Sequence, residues 1–156
     1  MALPRTPAAS IQTLAEFRYQ LRRFLLFSET AAQKLGLHPQ QHQLLLQIAG
    51  AARGTAATIG YLADRLGLHH NTVVELGNRC EKAGLVRRRH VGSDRRCVLL
   101  EVSPKGKKTL QALSIDHARE LNELAPRLIH TLGTLRTVHR KLGKRMVGKK
   151  KERGAL

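Results

Sequence analysis

TIGYLADRLGLHHNTVVELGNRCEKAGLVRRRHVGSDRRCVLLEV, residues 58–102, is the stretch that decides the fold. Two amphipathic helical patterns come first, joined by Leu66-Gly67-Leu68, and two strand-like runs follow at 85–91 and 97–102. A short turn at 92–96, ending in two arginines, separates the strands. This order of helix, turn, helix and basic hairpin predicts a winged helix-turn-helix that reads DNA.

Composition narrows the class of protein. The chain has 156 residues, 42% of them hydrophobic, with a formal charge of +17, which favours DNA, RNA or an acidic membrane as partner. Two cysteines exclude a disulfide framework and a four-cysteine metal site. No apolar run is long enough for a membrane span and no signal core begins the chain, so we expect a cytoplasmic protein associated with the nucleoid.

Helical patterns flank the deciding stretch. In the first, apolar and small residues recur in a heptad-like seam: Leu14, Phe17, Leu21, Phe24, Ser28, Ala31 and Leu35. Leu25, Leu26 and Phe27 lie outside that seam, which fits either a central core helix or a helix shared with a second subunit. At the other end, Pro104 is predicted to open a long helix and Pro126 a last one, whose apolar residues include Leu132, Leu135 and Val138. The apolar surplus on the first and last helices suggests an isologous dimer.

The predicted fold is mainly α with a small β-hairpin wing (α+β). We expect a flexible arm at 1–9, a single domain at 10–146, and a basic disordered tail at 147–156. Within the domain, the winged helix-turn-helix covers about 38–103, and the dimerisation helices cover about 10–36 and 104–146. From Arg140 to Arg153 there are eight basic residues and one acid, which adds nonspecific phosphate affinity.

The second helix of the pair has two different faces. Val73, Leu76, Gly77 and Cys80 repeat at i, i+3, i+4 and i+7 and form the inner face. The opposite side holds Asn71, Val74, Glu75, Asn78 and Lys82, with Arg79 beside them, and is rich in amide, carboxylate and guanidinium groups able to read base edges. A solvated surface has the same composition, but the position within a helix-turn-helix favours DNA reading.

Other candidate contacts surround this helix. Thr58 is an N-cap and a candidate phosphate contact. In the hairpin, the candidate wing contacts are Arg89, Ser93, Asp94, Arg95 and Arg96, where Asp94 orients the arginines rather than acting as an acid. His38 and His42 lie four residues apart, as a metal pair would, but a cap role for His38 fits better, and we expect no metal and no cofactor.

The segment 94–106, DRRCVLLEVSPKG, resembles the wing and following strand of MarR-type transcriptional regulators. Leu62-Ala63 with Leu66, and the segment 81–88, EKAGLVRR, are similar to that family's helix-turn-helix and its exit. The resemblance extends from about Leu14 to Leu142. Two residues depart from it: Cys80 and Gly77 stand where larger apolar residues are usual, so Gly77 is expected to loosen the packing.

The resemblance implies a homodimer with recognition helices in successive major grooves of a pseudo-palindrome and wings in flanking minor grooves. Carried over by position, the groove-facing candidates are Asn71, Thr72, Glu75, Asn78 and Arg79, and Arg95 is the leading wing candidate. His69 and His70 begin the recognition helix, where phosphate or base contacts are both open. The expected dimerisation residues are Leu14, Phe17, Leu21, Leu132, Leu135 and Val138. Small aromatic compounds bind many members of the family, so we count such an effector among the candidate partners.

The sequence bears on four kinds of function. The leading hypothesis is a ligand-responsive transcriptional regulator, usually a repressor, that binds double-stranded DNA with sequence specificity. The alternative is an architectural protein that coats DNA without sequence preference or effector, and RNA binding is weakened by the scarcity of aromatics for stacking. An enzyme is disfavoured because no nucleophile–base pair, phosphate loop or metal spacing emerges. Cys80 is read as a small buried hydrophobe, with redox sensing as the other reading.

Overall fold

A computed structural model describes the backbone of residues 8–90 and 98–152, and the side chains of 10–90, 98–138 and 140. The elements in chain order are α1 (Ala8–Lys34), α2 (Pro39–Ala49), α3 (Ile59–Leu66), α4 (His70–Lys82), β1 (Val86–His90), β2 (Val98–Val102) and α5 (Pro104–Glu152). The chain forms two compact units: unit 1 holds residues 1–26 and 119–156, and unit 2 holds residues 27–118. The mainly helical fold with one hairpin confirms the predicted fold class.

Capping groups define where α2 and α3 begin. The His38 ring Nδ1 accepts the Gln40 N–H at 3.3 Å, and Gln41 Oε1 accepts the His38 N–H at 2.9 Å. Each interaction satisfies a backbone donor that a helix start leaves without a partner. The predicted cap role of His38 is confirmed, and His42 lies buried one turn further on.

The turn between α3 and α4 follows directly from its sequence. Thr58 Oγ1 accepts the Tyr61 N–H at 3.1 Å at the start of α3. Gly67 ends the helix in the left-handed conformation and its N–H bonds to the Asp64 carbonyl at 3.3 Å. The tight turn brings α4 against α3 and so forms the helix-turn-helix.

The hairpin extends that unit. β1 and β2 pair antiparallel in a register that sets Val86 against Val102 and Arg88 against Leu100. The other edge of β2 is met by the segment before α3, because the Leu100 N–H donates to the Ala57 carbonyl at 3.1 Å. This hydrogen bond fastens the hairpin to the segment that leads into the helix-turn-helix.

A close approach joins the start of α5 to the hairpin. A Cβ on Gly106 would lie 2.3 Å from the Leu85 carbonyl oxygen and 2.7 Å from Val102 Cγ1. Nearby, the Ser103 hydroxyl donates to the Gly84 carbonyl at 2.6 Å and accepts the Gly106 N–H at 3.0 Å. Only glycine fits between these elements, and this contact fixes where α5 leaves the hairpin.

Unit 2 carries the hydrophobic core. Its fully buried members come from α2, α3, α4 and the hairpin: Leu44, Leu45, Leu62, Val73, Leu76, Cys80, Val86 and Leu100. Gly77 leaves no gap in this core, because Leu100 Cδ1 lies 3.2 Å from where its Cβ would be. The expected loosening at Gly77 is therefore wrong: a side chain from the hairpin fills the space.

Unit 1 consists of the first part of α1 and the greater part of α5. Gln20, Leu124 and Thr131 are buried there, whereas large apolar side chains are exposed: Ile11, Leu14, Leu21, Leu25, Ile129 and Leu132. Within the described chain, no helix is both long enough and apolar enough to cross a membrane.

The last helix differs from its prediction. Pro126 does not start a new helix but lies inside the continuous α5. A proline removes one backbone donor and crowds the preceding turn, but the helical pattern on both sides carries the chain through. The helix also continues to Glu152, so the boundary expected at residue 146 falls within it.

Candidate nucleic-acid interface

Helix α4 presents two chemically different faces, as its periodicity predicted. Val73, Leu76 and Cys80 are buried to 1% exposure or less. On the opposite face, the polar side chains of Asn71, Glu75, Asn78 and Arg79 are exposed, and Thr72 is half-buried. The buried face fixes the helix on the core and leaves the polar face free for a partner.

The start of α4 is left open to polar ligands. His69 occupies the N-cap position but its ring makes no capping hydrogen bond, and His70 is the first residue of the helix. Both rings are exposed. A helix N-terminus carries a partial positive charge and unpaired N–H groups, which favours a phosphate there.

Beside that end of α4 is a cavity of about 340 Å³ lined by Thr58, Ile59, Gly60, His70, Val74, Arg88 and Val98. Thr58 is half-buried and its hydroxyl oxygen is already used in the cap of α3. The hydroxyl hydrogen can still be donated to an acceptor. The structure thus brings Thr58 and His70, two of the sequence candidates, to one depression.

The arginines of β1 differ in their surroundings. Arg89 is 64% exposed and its Nε lies 3.0 Å from Glu101 Oε1 on the paired strand. Such an exposed ion pair contributes little to stability, so a phosphate could compete for the guanidinium. The other wing candidates, Ser93, Asp94, Arg95 and Arg96, lie outside the described residues.

Arg88 is a residue that the sequence candidates missed. Its side chain is 29% exposed and turns back onto α4, where it contacts Asn78 and lies 3.4 Å from Glu81. The signal was present in the strand alternation: Arg88 is two residues after the buried Val86 and therefore shares its inner face.

Cys80 behaves as an inert core residue. It is fully buried, and burial raises the pKa of its thiol to about 11 against a smaller opposing effect of Arg79. The thiolate, which is the reactive form, is therefore scarce near neutral pH. This favours the structural reading of Cys80 over redox sensing; Cys97 lies outside the described residues.

Two histidines form a polar cluster in the core of unit 2. His42 on α2 and His117 on α5 have ring centroids 5.0 Å apart, and His117 Nε2 lies 2.8 Å from Ser28 Oγ. Burial, and to a smaller degree the charge of His117, lowers the pKa of His42 to about 4. Among the described residues, no three His, Cys, Asp or Glu side chains gather as they would around a metal ion.

The helix-turn-helix, the exposed polar face of α4 and the hairpin together define a winged helix-turn-helix protein. A model of the MarR family matches residues 35–96. The HTH-type transcriptional regulator YcgE of Bacillus subtilis (strain 168) is 34% identical over 116 residues, which are 69% of this chain and 72% of that protein. The chain belongs to the MarR family, and it is a transcriptional regulator rather than an enzyme.

Solved structures share the fold. Staphylococcus aureus MarR in complex with salicylate and kanamycin superposes with a TM-score of 0.67 at 17% identity, covering 87% of this chain and 93% of that chain. A mutant of S. aureus MepR bound to an oligodeoxyribonucleotide has a TM-score of 0.59 at 17% identity, covering 82% and 94% of the two chains. At these identities, the likeness concerns the fold alone.

Proposed function

We propose that this regulator binds a pseudo-palindromic operator in double-stranded DNA as a homodimer and represses transcription until a small aromatic ligand releases it. The observation that carries the proposal is the contrast across α4. Its inner side chains are held by the core while Asn71, Glu75, Asn78 and Arg79 face solvent. Amide, carboxylate and guanidinium groups can distinguish base pairs in a major groove. The core therefore fixes the position of α4 on a bound duplex, and the exposed face selects the base sequence.

Phosphate contacts complete the proposed interface. Arg95 in the wing, Arg89 on β1 and the hydroxyl of Thr58 are assigned to backbone phosphates or the minor groove. His69 and His70 are assigned to the phosphate nearest the start of α4. These contacts set orientation and give affinity that falls with salt, whereas base contacts set sequence preference.

The exposed apolar residues of unit 1 support the homodimer. Leu14 is 48% exposed, Leu21 39% and Leu132 49%. Phe17, Leu135 and Val138 are half-buried in the single chain. A second copy would remove these side chains from water, and two-fold symmetry would place two recognition helices on one duplex.

A cavity of about 270 Å³ in unit 2 suits the proposed effector. Its lining combines apolar side chains with one ammonium and one carboxylate: Phe27, Thr30, Ala31, Lys34, Leu35, Ala112, Leu113 and Asp116. A flat aromatic acid fits such a lining, with its carboxylate near Lys34. The S. aureus MarR structure with salicylate makes that compound the natural first probe.

A gel-shift assay at physiological salt, using duplexes selected from a random pool, tests sequence specificity. We expect Asn78→Ala to change base preference and Arg95→Ala to weaken binding to every duplex. Arg53→Ala, an exposed arginine in the loop before α3, is the charge-matched control for Arg95. Equal affinity of the parent for all duplexes would rule out the sequence-specific function.

The high charge keeps the architectural alternative as a second candidate. Removing the residues after Val147 separates the two, because those residues hold much of the positive charge of the C-terminus. An architectural protein would lose most of its DNA binding and lack sequence preference, while a specific regulator would bind more weakly with the same preference. With either function, the protein would be located in the cytoplasm, at the nucleoid.

A thermal-shift assay tests the effector. We expect salicylate to raise the melting temperature, benzyl alcohol to do so less, and Lys34→Met to remove the difference between them. No shift with salicylate up to its solubility limit would contradict this assignment while leaving DNA binding untouched.

A further inference from the structure

Arg88 crosses one face of the recognition helix α4. Its Nη2 donates to the Val74 carbonyl at 3.4 Å and to Asn78 Oδ1, and its Nε lies 3.4 Å from Glu81 Oε2. Positions 74, 78 and 81 are spaced i, i+4 and i+7, so they follow one line along the helix. A single guanidinium from the hairpin therefore contacts successive turns of α4.

Gly77 allows the hairpin to approach α4 closely. A Cβ at that position would lie 3.7 Å from Arg88 Nη2 and 3.2 Å from Leu100 Cδ1. Leu100 is the residue paired with Arg88 across the hairpin, and it is buried. Because position 77 has no side chain, Leu100 packs closely on the helix next to Arg88.

The chemistry of the contact fixes the orientation of the Asn78 amide. A guanidinium has five N–H donors and no acceptor, so only the oxygen of an amide can face it. The Nδ2 group, which carries two donors, is then on the other arm of the planar amide. Asn78 itself is exposed on the face of α4 assigned to DNA.

We propose that Arg88 is a positioning residue that holds the Asn78 oxygen so that the Nδ2 hydrogens read the base edge. This inference rests on the proposed function, since it takes α4 as the element that enters the major groove. A fixed donor selects a base with an acceptor in that groove: guanine O6 or N7, adenine N7 or thymine O4. The cytosine amino group, a donor, is rejected at the same position.

The contact also explains why Arg88 differs from its neighbours on β1. Glu81 balances its charge and α4 shields it, so Arg88 is not a free phosphate ligand. Arg87, the preceding residue, is exposed, and its backbone lies opposite that of Glu101 in the hairpin register. Side chains alternate along a strand, so Arg87 lies on the face opposite to Arg88, and the same substitution there removes one positive charge without altering the contact with α4.

Base preference in selected duplexes tests the proposal. Duplexes are selected from one random pool with each of four proteins: the parent, Asn78→Asp, Arg88→Met and the control Arg87→Met. The affinity of each protein is then measured for every single-base variant of the site that the parent selects. We expect the parent to prefer an acceptor base at one position of each half-site. Asn78→Asp keeps an oxygen for Arg88 but loses the donor, so preference there falls by roughly tenfold.

Arg88→Met is expected to lose preference at that same position by a similar factor, and to add nothing further in an Asn78→Ala background. Arg87→Met is expected to keep the parent's profile with a uniform, salt-sensitive loss of affinity. If Arg88→Met retains the parent's preference at the position lost in Asn78→Asp, the positioning role is overturned, even when affinity falls for all duplexes.

A second variant covers the case in which Arg88→Met does not fold. Glu81 is exposed, and Glu81→Gln removes the negative charge that lies 3.4 Å from the Arg88 Nε. We expect a partial loss of preference at the same position, and an unchanged profile would overturn the proposal. A parent that selects no sequence at all would instead overturn the proposed function, which separates the two failures.

Discussion

The two units of the chain differ in how they treat their apolar side chains. In unit 2, residues from α2, α3, α4 and the hairpin cover one another, and Leu44, Leu62 and Leu76 are almost completely buried. In unit 1, α1 and α5 leave Ile11, Leu25 and Ile129 more than half exposed. The difference lies in what surrounds each helix within its own unit.

This difference separates folding from assembly. Unit 2 contains a closed core, so the shape of the DNA-reading face depends on contacts within one chain. Unit 1 exposes several large apolar side chains, and exposed apolar patches of this kind mark surfaces that a partner covers. Changes in the core should therefore act on stability, while changes on the exposed face of unit 1 should act on assembly.

The largest effect is expected on stability, where two glycines of α5, one in each unit, should respond differently to substitution by alanine. Gly106→Ala places a methyl group 2.3 Å from the Leu85 carbonyl oxygen. Gly133→Ala meets nothing within 4 Å. We expect the first to lower the free energy of unfolding by about 3 to 5 kcal/mol. The second should raise it by up to about 1 kcal/mol through helix propensity.

Urea denaturation at one fixed protein concentration measures both, since the stability of a dimer depends on concentration. Similar stabilities of the two variants would mean that the junction between α5 and the hairpin yields easily. The closed packing ascribed to unit 2 would then be wrong.

The next effect is on assembly. Leu14→Glu combined with Leu132→Glu places charges on the exposed apolar face of unit 1. We expect a monomer in analytical ultracentrifugation and a loss of roughly 100-fold in affinity for a two-half-site duplex. Affinity for a single half-site should stay the same. Ile115→Glu is the control, because that side chain is 65% exposed but belongs to unit 2; a dimeric double variant would contradict the assignment.

A smaller effect concerns pH and the core of unit 2. Burial and the neighbouring His117 lower the pKa of His42 from 6.5 to about 4. The folded chain then keeps His42 neutral while the unfolded chain takes up a proton below pH 6.5. Stability present at neutral pH is therefore lost as the pH falls from 6.5 toward 4. The contribution of this residue is about 2 kcal/mol between pH 7 and pH 5.

The comparison of parent and His42→Gln in urea titrations at both pH values isolates this contribution from that of the carboxylates. The stability difference between pH 7 and pH 5 should be smaller in the variant by that amount. An equal difference in both proteins would show that His42 is protonated without cost, and hence that its surroundings are not closed to water.

The smallest effect is expected at Cys80. Its thiol is buried and its pKa is raised to about 11, so oxidants should not reach it in the folded state. In a Cys97→Ala background, we expect DNA affinity to change by less than about twofold after peroxide treatment. A larger loss of DNA affinity that a thiol reductant reverses would support redox sensing by Cys80. It would also show that the core of unit 2 opens readily.

Much of the fold could be predicted because its signals are local. The 3.6-residue repeat separated Val73, Leu76 and Cys80 from the exposed side of α4. Thr58 and Gly67 marked the ends of α3, and alternation of side chains marked the strands. Each of these signals depends on neighbours within one or two helical turns, so the sequence carries it without knowledge of the rest of the chain.

Pro126 shows where local signals fail. A proline normally favours a helix start, yet here the helix continues on both sides of it. A local rule weighs only the missing backbone donor and the crowding of the preceding turn, whereas the helix is continued by the good helix formers on both sides of the proline.

By itself, the sequence determined the helix-turn-helix order, the inward and outward faces of α4, and the basic character that points to DNA. Only the tertiary structure decided which groups meet: Arg88 with Asn78, His42 with His117, and Gly106 with the Leu85 carbonyl. The physical reason is that periodicity fixes the direction of a side chain relative to its own helix or strand. Its partner depends on how the chain returns, and that is set by the burial of the whole core.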